Sequence, residues 1–221
     1  MILGSACLGA RALDGSAIAA ALQGLGLDSV LLVTQAEASA PNGLAALPVR
    51  GVRTAWEQLT RGIEVARAAS CRRLIVELPE EAEVDGACRA LFDLQRSEPG
   101  LSLAVLTPRA GPLAAPAALQ LVLEDLVAQS VAYWHVPSRS HRLGLADAAW
   151  FDLLGRHTVG LSLDDVLGED DGLPPGTGEL DLAPVAELGA RSLLVALDTA
   201  PLPDVSFLAV ALRDLQLVGF Q

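Results

Sequence analysis

Residues 72–107 read RRLIVELPEEAEVDGACRALFDLQRSEPGLSLAVLT. Both ends, RRLIVEL (72–78) and LSLAVLT (101–107), are short apolar runs of strand length. The segment VDGACRALFDLQRSEPG between them reads as a helix that Pro99 and Gly100 bring to an end. A strand, a helix and a second strand in this order form a parallel β/α/β unit.

The same unit recurs on either side. Before it lie MILGSA (1–6), SVLLVT (29–34) and a weaker run, LAALPVR (44–50), followed by the amphipathic TAWEQLTRGIEVARAA. After it come SVAYWHV (130–136), HTVGLSL (157–163) and RSLLVAL (191–197), with helical stretches between them and a last one, SFLAVALRDLQL. Eight strands separated by helices match a closed (β/α)8 barrel, and continuous apolar strands suit burial between barrel interior and helix layer. An open doubly wound sheet is the alternative. The expectation is α/β: a single, compact TIM-barrel domain over residues 1–221, with helix 2 short or missing because the gap from 34 to 44 is brief.

Composition narrows the chemistry. The formal charge is −12, a poor match to phosphate backbones, so no nucleic-acid partner is expected. No apolar run nears the roughly 18 residues of a membrane span, and the start lacks a basic leader region. All 15 basic residues are arginine. That excludes Schiff-base, pyridoxal-phosphate and Walker lysine chemistry. Cys7, Cys71 and Cys88 show no C-x-x-C spacing, which fits reduced, buried thiols in a cytoplasmic protein. No G-x-S-x-G and no G-x-G-x-x-G after a strand are present.

After the seventh strand comes DDVLGEDDGLPPGTGELD (164–181), long for a loop between a strand and a helix. Prolines fix its turn, Gly176 and Gly178 permit close backbone approach, and Asp181 is placed to cap the next helix. The G-x-G also reads as a weak phosphate cradle. DDGLPPGTGELDLAPVAEL resembles the strand-seven loop of the xylose isomerase-like TIM barrels, a superfamily of sugar-phosphate isomerases/epimerases and apurinic-site endonucleases. In that family an Asp-x-His pair runs into Pro-Gly-x-Gly-x-x-Asp before a helix.

The resemblance implies divalent metal ligands at the strand ends, and this sequence departs from them. The Asp of Asp-x-His falls on Asp170 and the His on Gly172. The strand-seven histidine falls on Leu161 or Ser162, and the strand-five glutamate on Leu106 or Thr107. The strand-six Asp falls near His135 and its partner His near Ser138, with His141 displaced. The strand-eight glutamate falls near Asp198, and Glu77 stands where many members carry His. No metal and no other cofactor is therefore expected; a divalent ion belongs only to a reading with a relocated site.

Three readings follow. A barrel without the ancestral metal chemistry would bind a sugar, a sugar phosphate or a protein partner, with His135, Arg139, His141, Gly176 and Gly178 as ligand-contact candidates. A working isomerase/epimerase would use Glu77, Asp165 and Asp198 as acid/base or relocated metal groups. A scaffold subunit would expose an apolar interface. His157 precedes its strand and is assigned no chemistry.

Overall fold

The computed structural model describes residues 2–8, 20, 23–24, 29–34, 48–189, 193–197 and 213. Eight parallel strands close into a barrel. They are β1 (Ile2–Leu8), β2 (Val30–Thr34), β3 (Val49–Ala55), β4 (Arg73–Glu77), β5 (Ser102–Leu106), β6 (Ala132–His135), β7 (Thr158–Leu163) and, after a hairpin of β8 (Asp165–Leu167) and β9 (Asp170–Leu173), β10 (Leu194–Leu197). Each of β1 to β6 pairs with its successor, β7 pairs with β10, and β10 pairs with β1 in the register Ile2↔Val195. The expected barrel is what forms. The short or missing second helix lies outside the described residues, as do the first and last helical segments for most of their length.

The helix layer comprises α1 (Leu59–Ala68), α2 (Val84–Ser97), α3 (Pro116–Asp125), α4 (Pro137–Arg142), α5 (Asp147–Leu154) and α6 (Ala183–Gly189). On α2, Ala87, Cys88, Leu91 and Leu94 fall three or four apart and are buried, giving one apolar stripe toward the strands. Pro116 and Pro137 open α3 and α4, where proline's missing N–H costs nothing. No helix among the described residues is long and apolar enough to cross a membrane.

Strand alternation divides the core in two. Leu74, Val76, Leu103, Val105, Tyr133, Leu161 and Leu163 face the helices. Leu31, Ile75, Ala104, Leu106, Trp134, Val136 and Ala196 fill the barrel. Trp134 is the largest of these. Its indole Nε1 donates to Ser162 Oγ at 2.9 Å. A Cβ on Gly160 would stand 2.4 Å from the Trp134 ring, so β7 must carry glycine there. The interior is thus packed solid beneath its mouth.

Two elements depart from expectation. The third strand runs over Val49–Ala55, not 44–50. Its residues Val52 and Thr54 face the helices, while Gly51 and Arg53 take the barrel-facing positions, so it shows no continuous apolar run. A Cβ on Gly51 would meet Leu31 Cδ1 at 2.8 Å. The segment after β7, expected as one long loop, begins as an antiparallel hairpin with Asp165 opposite Leu173 and Gly168 at φ +57° in its turn.

Candidate functional site at the barrel mouth

The C-terminal ends of β4 to β7 gather the charged groups. Glu77 ends β4 on the barrel-facing side, one layer above Ile75. Its carboxylate accepts from Arg139 Nη2 at 2.9 Å through Oε2 and from Arg109 Nε at 2.8 Å through Oε1. Arg139, only 7% exposed, also donates from Nη1 to the Thr107 carbonyl at 2.7 Å. Arg109 stands at the rim, its side chain 50% exposed. Burial alone would raise the pKa of Glu77. The charges and hydrogen bonds of Arg139, then of Arg109, outweigh it and hold the carboxyl below its ordinary value. Asp164, buried just after β7, adds a second negative charge that bears on Arg139.

Arg139 reaches this position because VPSRSHR turns into a short helix directly after β6. Pro137 starts α4, and Pro137, Ser138, Arg139 and Ser140 are all buried. The three ligand-contact candidates of this region therefore part company. Arg139 enters the mouth. His141 is half exposed and approaches Glu179 Oε1 at 3.7 Å. His135 is fully buried and turns toward the helix layer, where its ring meets Phe151 in a T-shaped contact at 5.0 Å.

His135 belongs to a buried hydrogen-bonded chain. Its Nε2 lies 2.7 Å from Asp147 Oδ1, its Nδ1 2.8 Å from the Tyr133 hydroxyl, and that hydroxyl 2.7 Å from Thr107 Oγ1. Thr107 Oγ1 also accepts from the Val136 N–H at 2.9 Å. The Asp147 carboxylate only accepts, so a neutral His135 carries its proton on Nε2 and accepts at Nδ1. Tyr133 then donates to His135 and accepts from Thr107. Burial keeps the Tyr133 hydroxyl protonated, its pKa well above the ordinary value. The chain ties β5 and β6 to α5 and faces away from the mouth.

Asp165, a catalytic candidate on sequence grounds, is wholly buried and engaged with backbone. Oδ1 accepts from the N–H groups of Val166 at 2.8 Å and Leu180 at 3.0 Å. Oδ2 accepts from Gly176 at 3.0 Å and Gly178 at 2.9 Å. The G-x-G cradle thus holds an anion, and that anion is Asp165 of the same chain. Gly176 adopts φ +85°, and a Cβ on Gly178 would meet the Val166 carbonyl oxygen at 2.1 Å. Asp181 Oδ1 accepts from the Ala183 N–H at 3.0 Å, the helix cap expected of it. Asp198 lies outside the described residues, so of the three acid candidates only Glu77 is seen facing the mouth.

The positions at which the resemblance would put metal ligands hold groups of other chemistry. Leu106 is interior core, Ser162 accepts from Trp134, and Gly172, at φ +72°, has no side chain with which to ligate. Among the described residues no three His, Cys, Asp or Glu side chains converge. This donor set does not fit a divalent ion. The sequence reading missed Arg109, Thr107, Tyr133, Asp147 and Asp164. For Arg109 a signal existed: it follows Pro108 directly after β5, at the rim of any barrel.

No family profile and no curated protein matches the chain. Solved structures do. An L-ribulose 3-epimerase superposes with TM-score 0.75 at 12% identity, covering 99% of this chain and 94% of that one. A probable 3-DHS dehydratase of petrobactin synthesis from Bacillus anthracis gives 0.74 at 8%, covering 97% and 98%. A xylose isomerase domain protein from Salmonella typhimurium gives 0.72 at 12%, covering 97% and 96%.

Proposed function

Taking the fold to be that of the xylose isomerase-like TIM barrels, we propose that this protein binds a small, polyhydroxylated anion of sugar or sugar-phosphate type at the barrel mouth, without turning it over. The observation that carries this reading is the Arg109–Glu77–Arg139 array at the ends of β4 to β6. Barrel ligands gather on this face. A guanidinium meets a carboxylate or phosphate with two parallel hydrogen bonds, and Arg109 stands at the rim where a ligand arrives. Hydroxyl groups of the ligand would find acceptors in Glu77 and Asp164.

The state of Glu77 supports the reading of binding without turnover. A carboxylate stabilised by two guanidiniums is a weak proton acceptor, and general-base catalysis favours a group whose pKa lies near the working pH. A second reading, an isomerase/epimerase, draws support from the epimerase that shares this fold along nearly its whole length. It requires a partner base, for which Asp198 is the sequence candidate.

Thermal-shift screening of sugar phosphates and sugar acids tests the proposal. A stabilising ligand is expected, its effect lost in Arg109→Ala while that variant melts like the parent. A ligand bound equally well by Arg109→Ala would refute the placement. Deuterium uptake from solvent beside the ligand's carbonyl, followed by NMR, would decide for the isomerase.

A further inference from the structure

We infer that Gly111 is a positioning residue: it fixes Arg109 at the rim of the barrel mouth and so sets where the anionic group of a ligand docks. This rests on the reading of the mouth as an anion site. Arg109 lies in the segment between β5 and α3, and Glu77 ends β4 just before the segment that leads to α2. The two segments meet at two places. Arg109 Nε donates to Glu77 Oε1 at 2.8 Å. Two residues on, Gly111 lies against the backbone of Glu80. A Cβ on Gly111 would stand 1.7 Å from the Glu80 carbonyl oxygen and 2.8 Å from its carbon.

The second contact demands glycine for two reasons. Gly111 adopts φ +87°, a conformation that side chains resist. Its neighbour across the gap is backbone, which cannot swing aside as the end of a flexible side chain can. Arg109 is thereby held from both sides. Pro108, buried directly after Thr107, precedes it. The Gly111 carbonyl accepts from the Ala114 N–H at 3.0 Å and closes the turn that follows. A guanidinium recognises an anion through directed hydrogen bonds, so the place of its main chain decides which approach is productive. Any side chain at position 111 must part the two segments, and Arg109 then leaves Glu77 with its own segment.

The experiment follows the Glu77 carboxyl by NMR titration of its side-chain carbon in the parent, Arg109→Ala, Gly111→Ala and the double variant, with no ligand present. Burial raises the pKa of this carboxyl, and Arg139, then Arg109, lower it. Loss of Arg109 should move the titration up by roughly one pH unit. Gly111→Ala should give the same rise, and the double variant no more than either. An unmoved titration in Gly111→Ala, or a double variant that adds the two rises, would overturn the inference. If Gly111→Ala does not fold, a glycine inserted between Arg109 and Ala110 frees Arg109 from its anchor and should give the rise instead. No rise there, or failure of that variant to fold as well, would overturn it. Binding of ribose 5-phosphate, measured separately by calorimetry, should weaken roughly tenfold in Gly111→Ala, and undiminished binding would also count against the inference. A parent that ignores this probe while Gly111→Ala moves Glu77 would strike the anion reading and leave the Arg109 anchor standing.

Discussion

Asp165 and Asp181 sit 16 positions apart in one segment and do unequal work. Four backbone N–H groups converge on the buried carboxylate of Asp165. Asp165→Ala should strand them and cost about 3 kcal/mol or more. The exposed Asp181 accepts one bond, and Asp181→Ala should cost about 0.5–1 kcal/mol. Denaturant titration of both variants checks the order. Equal losses would mean that the glycine turn holds its shape unaided. Glu77 gives a pH signature. Its folded pKa is depressed, so its contribution is complete above the unfolded value of about 4.3 and is lost as pH falls through the folded value. The stability gap between parent and Glu77→Gln should therefore be constant near neutral pH and narrow on acidification below about pH 4. A gap that widens in acid would contradict the ion-pair assignment. The need for a left-handed glycine and a capping Asp was legible in PPGTGELD, because turn chemistry is local. That Asp165 supplies the anion was not, since no local rule says which carboxylate a run of N–H groups will meet.

The chain from Thr107 through Tyr133 and His135 to Asp147 docks α5 on β5 and β6. Tyr133→Phe removes its central hydroxyl and leaves the Thr107 and His135 partners unmatched in a buried place. A loss of about 1–3 kcal/mol is expected, with sugar affinity unchanged because the chain faces the helix layer. An affinity loss at unchanged stability would instead put His135 in the site. Element by element, β4 to β7 and β10 were readable, because strands buried on both faces are continuous apolar runs. β3 was misplaced, since its interior face carries Gly51 and Arg53. The helix in VPSRSHR was not legible, because six residues make too few turns to show periodicity.

Across the whole molecule, strand count and helix spacing sufficed for the architecture, because each β/α unit repeats one pattern. The mouth was harder to foresee. Its central ion pair joins residues 62 positions apart, and only closure of the barrel sets them side by side. That same closure has a consequence for the unfinished chain. β10 is the last of the eight barrel strands in chain order, and it pairs with both β7 and β1. A chain stopped before Leu194 exposes two unpaired strand edges at once, each a template for pairing with another copy. Until residues 194–197 arrive, aggregation competes with folding, and their pairing is what removes both edges.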